Sequence, residues 1–587
     1  MSRISRTCRL VLVAVLGAAL LPVLSTLLAT PAAAESNGLA GTPLMGWSSW
    51  SFLRSAPSAA KIDAQADAMK NSGLSGYGYD HINLDDFYYI CNGGTGPAVD
   101  ANGYWQTDPS KFPPSGSTNG IQVVAAHVHA DGLKFGLYVT PGIAKAAVAA
   151  HSPIKGTTNT ADQIAEPSVN ENNYNCGGMV GINYSASGAQ AYINGWADQL
   201  AAWGVDYLKL DGVGAGDIPD VQAWSTALKQ SGRPIALELS NSLSISDATT
   251  WEALANGWRT GGDVECYCSS GTSYPLTDYA NVSQRFDSAA SWQPYGQPGG
   301  WNDFDSIEVG NGNNDGLTPA ERQTQLSLWA MADSPLLLGI DLTNLDSTDL
   351  GLLKNRGVIA IDQDTIPAAR VVDSGSEQVF SKRETNGTFD IAVFNTDSGA
   401  AHSESVSLPA LGLSGSSVLT DVWSGSSLGT VSGTYTATVP AGGVSLITAS
   451  PVSGNGGTGE LVGSQSGKCL DTTGGEVYLP GTAEEIWDCH GGIGQEFTPT
   501  SSGELRTVGA TECLDVFNNE TAPGTKVELW PCNGQANQQW TLESDGTVRG
   551  VQSGLCLDVF NQETADGTAL DIWNCNGQGN QKWALES

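Results

Sequence analysis

Seven carboxylates stand at or just past the ends of short apolar runs, and their spacing is the first sign of chemistry. Asp85 and Asp86 close Ile82-Asn83-Leu84-Asp85-Asp86-Phe87, Asp211 closes Tyr207-Leu208-Lys209-Leu210-Asp211, and Glu238 lies in Leu237-Glu238-Leu239. Asp263 follows Arg259-Thr260-Gly261-Gly262, and Asp303 and Asp305 lie in Trp301-Asn302-Asp303-Phe304-Asp305. Acids gathered at one mouth repel each other, so such a gathering does not serve stability. Two of them on opposite sides of a glycosidic bond could break it, one as nucleophile or base and one as acid. Asp211 shares a strand face with Tyr207 and Lys209. The Lys209 ammonium should lower its pKa and keep it ionised, as a nucleophile requires. Asp263, in a Gly-rich turn, could swing over a leaving group as general acid and then base. With the cations Lys209 and Arg259 and the rings of Trp47, Trp50, Tyr138 and Trp301, the set describes a sugar pocket. The bland alternative is a buried Lys209–Asp211 ion pair that fixes register. His81, at the start of the Asp85 run, reads as a hydrogen-bonded structural histidine rather than a base.

The elements that must hold these residues are eight strand-like runs at 44–50, 81–87, 134–141, 206–213, 234–240, 257–264, 301–307 and 335–342. Helix-like stretches such as 59–70, 121–131, 189–203 and 221–229 lie between them. That alternation over residues 35–361 predicts a (β/α)8 barrel, whose C-terminal strand ends converge on one site. No Gly-rich dinucleotide fingerprint follows the first strand. Residues 362–451 switch to short strands separated by Gly, Ser and Asn, which predicts an antiparallel β-sandwich, with strands at 378–382, 388–395, 403–408, 418–423, 434–439 and 443–449. A Gly/Ser-rich linker at 452–460 leads into 461–587. There Cys-Leu-Asp recurs at Cys469, Cys513 and Cys556, spacings of 44 and 43 residues, and each unit ends in a related Gln-containing tail. Three units too small to bury a core alone imply one threefold domain.

Composition narrows the partners. Lys and Arg number 26 against 61 Asp and Glu, a formal charge of −35. Neutral sugars are compatible with that balance, which argues against nucleic acids and anionic membranes, both of which need basic patches. Arg3, Arg6 and Arg9, an apolar run at 10–28 and Pro31-Ala32-Ala33-Ala34 read as a signal peptide over 1–34, so the mature protein is expected to be secreted. Of 11 cysteines, Cys8 would leave with the signal. The remainder suit disulfides in an oxidising compartment. Six fall as regular pairs, Cys469 with Cys489, Cys513 with Cys532 and Cys556 with Cys575, while the pairing of Cys91, Cys176, Cys266 and Cys268 stays open. The six histidines show no zinc-ligand spacing,. No cofactor is implied.

The joint order of Thr42-Pro43-Leu44-Met45-Gly46-Trp47-Ser48-Ser49-Trp50, Asp85-Asp86, Tyr207 to Gly212, Trp258-Arg259 with Asp263, and Gly300-Trp301-Asn302-Asp303 resembles glycoside hydrolase family 27. So does the later segment running from Leu317 to Leu336. The resemblance implies a barrel followed by an antiparallel β-domain and a retaining enzyme, in most members an α-galactosidase. It implies Asp211 as nucleophile, Asp263 as acid/base, and Trp50, Asp85, Asp86, Lys209, Glu238 and Arg259 as sugar contacts; Tyr138 joins them from the pocket reading above. Thr140 and Pro141 depart from the α-galactosidase pattern, as do Ser240 and Asn241 and the loop around Cys91. These departures resemble the branch that includes β-L-arabinopyranosidases, with isomalto-dextranases more distant. The Asp85-Asp86 pair, which matches the pattern for the C4 and C6 hydroxyls, favours galactose.

The C-terminal repeats resemble the ricin-type β-trefoil, carbohydrate-binding module family 13. The carry-over implies sugar contacts at Asp515, Trp530, Asn533, Asn537 and Gln538 in the second repeat, and at Asp558, Trp573, Asn576, Asn580 and Gln581 in the third. Gln538, Gln581, Trp540 and Trp583 also read as core residues, and for these four the core reading is preferred. The first repeat is degraded, with Gly494 in place of the Asn and Phe497 in place of the Trp. The expected protein is a secreted exo-glycosidase for terminal α-D-galactosyl units, with the trefoil as a second polysaccharide contact. A non-catalytic galactose-binding array and a transglycosylase are the readings from other classes.

Overall fold

The computed structural model describes residues 35, 37–92, 96–269, 273–384, 387–413, 415–451, 458–475, 477, 479–500, 502–507, 511–543 and 545–586. The signal-peptide expectation and most of the linker lie outside these residues.

Eight short strands form one parallel sheet: Met45–Ser48 (β1), His81–Leu84 (β2), Lys134–Val139 (β3), Tyr207–Asp211 (β4), Ala236–Ser240 (β5), Gly257–Arg259 (β6), Trp301–Asp303 (β7) and Leu336–Leu338 (β8). Each predicted strand contains one of them. They pair in the order β7-β6-β5-β4-β3-β2-β1-β8, and a parallel bridge from Ile307, just past β7, to Leu338 closes the ring. Parallel strands need crossovers, and the amphipathic helices supply them. The helix Ala189–Trp203 is typical: Tyr192, Ile193, Trp196 and Leu200 bury one face, and Gly204 ends it at φ 89°, a conformation in which glycine carries no Cβ penalty,. The register sets Lys209 beside Tyr138 on β3 and Glu238 on β5, and Asp211 beside Ser240.

Between β3 and β4 the chain makes an excursion. Ala165–Glu171 and Met179–Ile182 form a hairpin, with Ile143–Ala144 pairing its second strand. The hairpin tip, at 172–178, is bonded through Cys176 to Cys91 in the segment after β2.

The next unit is a six-stranded antiparallel sheet facing a two-stranded one, His402–Ser407 with Thr434–Val439. Two strands of the large sheet, Ala369–Ser374 and Ser427–Ser432, were not predicted. Both lie at its edges and keep no residue fully buried, so they lack the alternation that marks a half-buried strand,. Phe380 and Phe394 of this sheet meet Phe286 of the barrel, edge to face in the case of Phe394.

The last unit is a β-trefoil whose single core is drawn in equivalent positions from three repeats: Leu470, Leu514 and Leu557; Ile486, Leu529 and Ile572; Phe497, Trp540 and Trp583. Its ends close through Gly459–Gly463 pairing with Trp583–Glu586. Disulfides join Cys469–Cys489, Cys513–Cys532 and Cys556–Cys575. An Arg383–Glu496 ion pair at 2.5 Å links trefoil to sandwich.

Candidate active site

A cavity of about 470 Å³ opens at the C-terminal ends of the barrel strands, lined by Trp50, Asp85, Asp86, Tyr138, Tyr174, Asn175, Lys209, Asp211, Ser240, Asn241, Gly262, Asp263 and Tyr267. The loops that shape it are strained. Phe87 (φ 70°), Asn241 (φ 139°), Tyr267 (φ 48°) and Asp305 (φ 81°) all follow barrel strands and all hold positive φ. Such conformations cost about 1–3 kcal/mol each and persist where the surroundings impose them.

On one side Lys209 Nζ binds Asp85 Oδ2 at 2.7 Å. It therefore does not form the isolated pair with Asp211 considered from sequence. Backbone donors fix the two aspartates: Asp86 N–H donates to Asp85 Oδ1 at 2.8 Å and Phe87 N–H to Asp86 Oδ1 at 2.6 Å, while the Asn175 amide reaches Asp86 Oδ2. Burial pushes the Asp86 carboxyl up to about 6. Asp211 accepts from the Tyr138 hydroxyl at 3.1 Å. Burial raises its pKa, and Lys209, which lowers it, does not compensate fully. The expectation of a lowered value is thus corrected, because desolvation outweighs the nearby cation.

On the other side Asp263 shows the opposite balance. Burial raises its pKa, but Arg259, Tyr267 and Lys209 together bring it below the ordinary value. Tyr267 donates its hydroxyl proton to Asp263 Oδ2 at 2.6 Å, and Arg259 contacts Asp263 Oδ1 at 3.2 Å and Asp305 Oδ1 at 2.9 Å.

Two expected sugar contacts do not line the cavity. Glu238 is buried beneath it, and its carboxylate occupies the space where a Cβ on Gly257 would sit, 1.9 Å from Oε2. Burial and Asp303 hold its pKa well up. Arg259 is 3% exposed and spends its guanidinium on Asp263, Asp305 and the Gly262 carbonyl. Both support the floor and wall. Conversely, Tyr174, Asn175 and Tyr267 line the cavity without having been singled out, and Ser240 and Asn241, marked in the sequence only as departures from the α-galactosidase pattern, line it too. Tyr174 and Asn175 come from the hairpin tip, and Tyr267 lies between Cys266 and Cys268, which are bonded to each other. The only sequence signal for either loop was its flanking cysteine.

In the trefoil, Trp530 and Trp573 are exposed beside buried Asp515 and Asp558. Asn537 donates to Asp515 at 2.8 Å and Asn580 to Asp558 at 2.7 Å. Gln538 and Gln581 are fully buried, and their amides accept the N–H of Asn533 and Asn576 at 2.8 Å. Trp540 and Trp583 lie in the core. The first repeat keeps an exposed tryptophan, Trp487, and a buried Asp471. Where Gly494 replaces the asparagine, His490 Nε2 reaches Asp471 Oδ2 at 3.1 Å instead.

The family described as Alpha galactosidase A matches residues 42–170 and 153–364, which is more than half of the chain. The chain belongs to that family. Its β-sandwich domain matches at 374–449, and a ricin-type β-trefoil lectin domain matches at 457–583. The chain is 31% identical over 366 residues to alpha-galactosidase A of Cellvibrio japonicus, covering 61% of this chain and 76% of that protein. It is 31% identical to alpha-galactosidase 2 of Arabidopsis thaliana, over 62% of this chain and 78% of that one. Among solved structures it is similar to a β-L-arabinopyranosidase of Geobacillus stearothermophilus (26% identity, TM-score 0.65, 71% of this chain and 98% of that one). It is also similar to alpha-galactosidase I of Mortierella vinacea (27% identity, TM-score 0.55, 71% and 100%). With this family membership, the protein is a glycoside hydrolase.

Proposed function

We propose that this family member is a secreted, retaining exo-glycosidase that releases terminal α-D-galactosyl units. The observation that carries the reading is the placement of Asp211 and Asp263 on one cavity that also presents the Lys209-bound Asp85 and Asp86. The Asp211 carboxylate attacks C1 of the sugar and the bond from C1 to the leaving oxygen breaks, while Asp263 gives that oxygen its proton. Water then gives a proton to Asp263 and attacks C1, and the ester to Asp211 breaks. Asp85 and Asp86 accept from the C4 and C6 hydroxyls. Glu238 and Arg259 hold neighbouring groups rather than the sugar.

The resting site favours the proton on Asp211 over Asp263, the reverse of what the first step needs. Sugar binding corrects this. A ring that covers Asp263 removes its water and favours the neutral acid, while sugar hydroxyls that donate to Asp211 favour its anion. Nuclear magnetic resonance of the sugar released from an α-D-galactoside tests the mechanism. α-Galactose is expected first and its β anomer only after mutarotation; β-galactose first would mean inversion.

A second reading, β-L-arabinopyranosidase, is favoured by the similarity to the Geobacillus enzyme. That sugar is galactose without the hydroxymethyl group, and a pocket distinguishes such pairs by about 1–3 kcal/mol. The curated relatives named above favour galactose.

The trefoil would hold the enzyme on polysaccharide through Trp530 and Trp573, and tethering raises the local substrate concentration. Changing both tryptophans to Ala is expected to abolish retention on insoluble galactosylated polysaccharide while leaving nitrophenyl galactoside turnover within about twofold, since surface changes far from a site act independently. Equal retention by parent and variant would remove the trefoil from this role.

A further inference from the structure

Tyr267 is presented in an unusual way. Its two neighbours, Cys266 and Cys268, are bonded to each other, so the backbone is pinned across a single residue with Tyr267 at φ 48°. The ring is 47% exposed, an uncommon state for a large side chain held this tightly, and it lines the cavity. Its hydroxyl is fully engaged: it donates to Asp263 and accepts from Trp50 Nε1 at 2.8 Å. The Arg54 guanidinium stacks on the ring, 4.6 Å from its centre. With the hydroxyl and one contact on the ring accounted for, the exposed aromatic surface beside Asp263 is what remains to be explained. Aromatic surface next to the group that protonates the departing oxygen suits the apolar C–H face of a departing sugar ring.

We infer that Tyr267 is a leaving-group platform, its ring stacking on the sugar that departs while its hydroxyl positions Asp263. This rests on the reading of Asp263 as acid/base. The Cys266–Cys268 bond is the device that holds ring and hydroxyl in place together. Carbohydrate leaving groups therefore gain from Tyr267, whereas a leaving group with no ring does not.

The test compares Tyr267→Ala, Tyr267→Phe and the double variant Cys266→Ser/Cys268→Ser with the parent, using one glycosyl unit on two leaving groups: fluoride and a 1,6-linked glucose. The glycosyl unit is α-D-galactosyl or β-L-arabinopyranosyl, whichever the parent cleaves, so a wrong choice of sugar does not disturb the test. Tyr267→Ala is expected to lose about tenfold more kcat/KM on the disaccharide than on the fluoride, the size of one aromatic contact, mainly through KM. The double variant, which frees an intact tyrosine, is expected to show the same selective loss. Tyr267→Phe keeps the platform, so its disaccharide KM should stay within about twofold of the parent.

The phenylalanine variant also reports on positioning. Asp263 faces Arg259 on β6, Lys209 on β4, Asp305 past β7, and Glu265, Tyr174 and Tyr267. The Tyr267 hydroxyl favours the Asp263 anion; without it, Asp263 keeps its proton to higher pH. The alkaline limb of the kcat profile, which reports the sugar-bound enzyme, should therefore move upward in Tyr267→Phe, a shift that a packing role would not produce. Equal losses on both leaving groups in Tyr267→Ala, or an unmoved alkaline limb in Tyr267→Phe, would overturn the inference while the parent's activity stands. A parent that cleaves neither glycosyl unit would overturn the functional reading and the platform with it.

Discussion

Asp211→Gly is expected to fold normally and to lose activity on α-galactosides by on the order of 10⁴-fold or more, as enzymes do when a covalent nucleophile is removed. Folding should survive because Asp211 closes β4 at the rim, where its side-chain hydrogen-bond partners are the hydroxyls of Tyr138 and Ser240. The vacated space also makes the role testable. If Asp211 attacks C1 from one face, azide entering that space attacks from the same face and gives β-galactosyl azide, the inverted product. Partial recovery of turnover with that product would assign Asp211 as nucleophile. Recovery without inversion would contradict the assignment.

Asp263→Ala should behave differently. Loss of general acid assistance costs about 10²–10⁴-fold on a sugar leaving group, and much less on an activated dinitrophenyl glycoside, whose oxygen departs without a proton. The second step still needs a base, so the activated substrate should show a burst followed by slow turnover. Azide needs no base and would enter from the Asp263 side, giving α-galactosyl azide. The two variants thus yield opposite anomers from one reagent. If both gave the same anomer, one of the two roles would be misplaced. In Asp263→Ala, Tyr267 and Arg259 each lose a partner, so the pocket becomes more positive, the Asp211 pKa should fall and the residual activity should persist to lower pH,.

The barrel was legible because its strands are short, apolar and buried on both faces, and because the helices between them carry a 3.6-residue period. Glu238, flanked by Gly257 on β6 and Lys209 on β4, shows what was not legible: depth. A strand pattern tells which side chains share a face, not which layer each occupies, and for this reason Glu238 and Arg259 were expected in the pocket they support. The same blindness to depth reversed the expected pKa of Asp211, since Lys209 is visible in sequence and burial is not. Tyr174, Asn175 and Tyr267 lie on irregular loops whose conformations follow no period, and their positions depend on the disulfides Cys91–Cys176 and Cys266–Cys268, whose pairing the sequence left open. The trefoil was the easiest unit to read, because Cys-Leu-Asp repeats itself. Even there His490, standing in for a missing amide beside Asp471, required coordinates to see.

The most direct test of the central claim is kcat/KM on matched nitrophenyl α-D-galactopyranoside and β-L-arabinopyranoside. The two sugars share the axial C4 hydroxyl and differ only in the hydroxymethyl group that Asp86 is proposed to help bind. The account predicts that the galactoside is preferred by roughly tenfold or more, the value of one well-formed contact in a pocket. Preference for the arabinoside would contradict the galactosidase assignment and leave the mechanism standing. Cleavage of neither would contradict both.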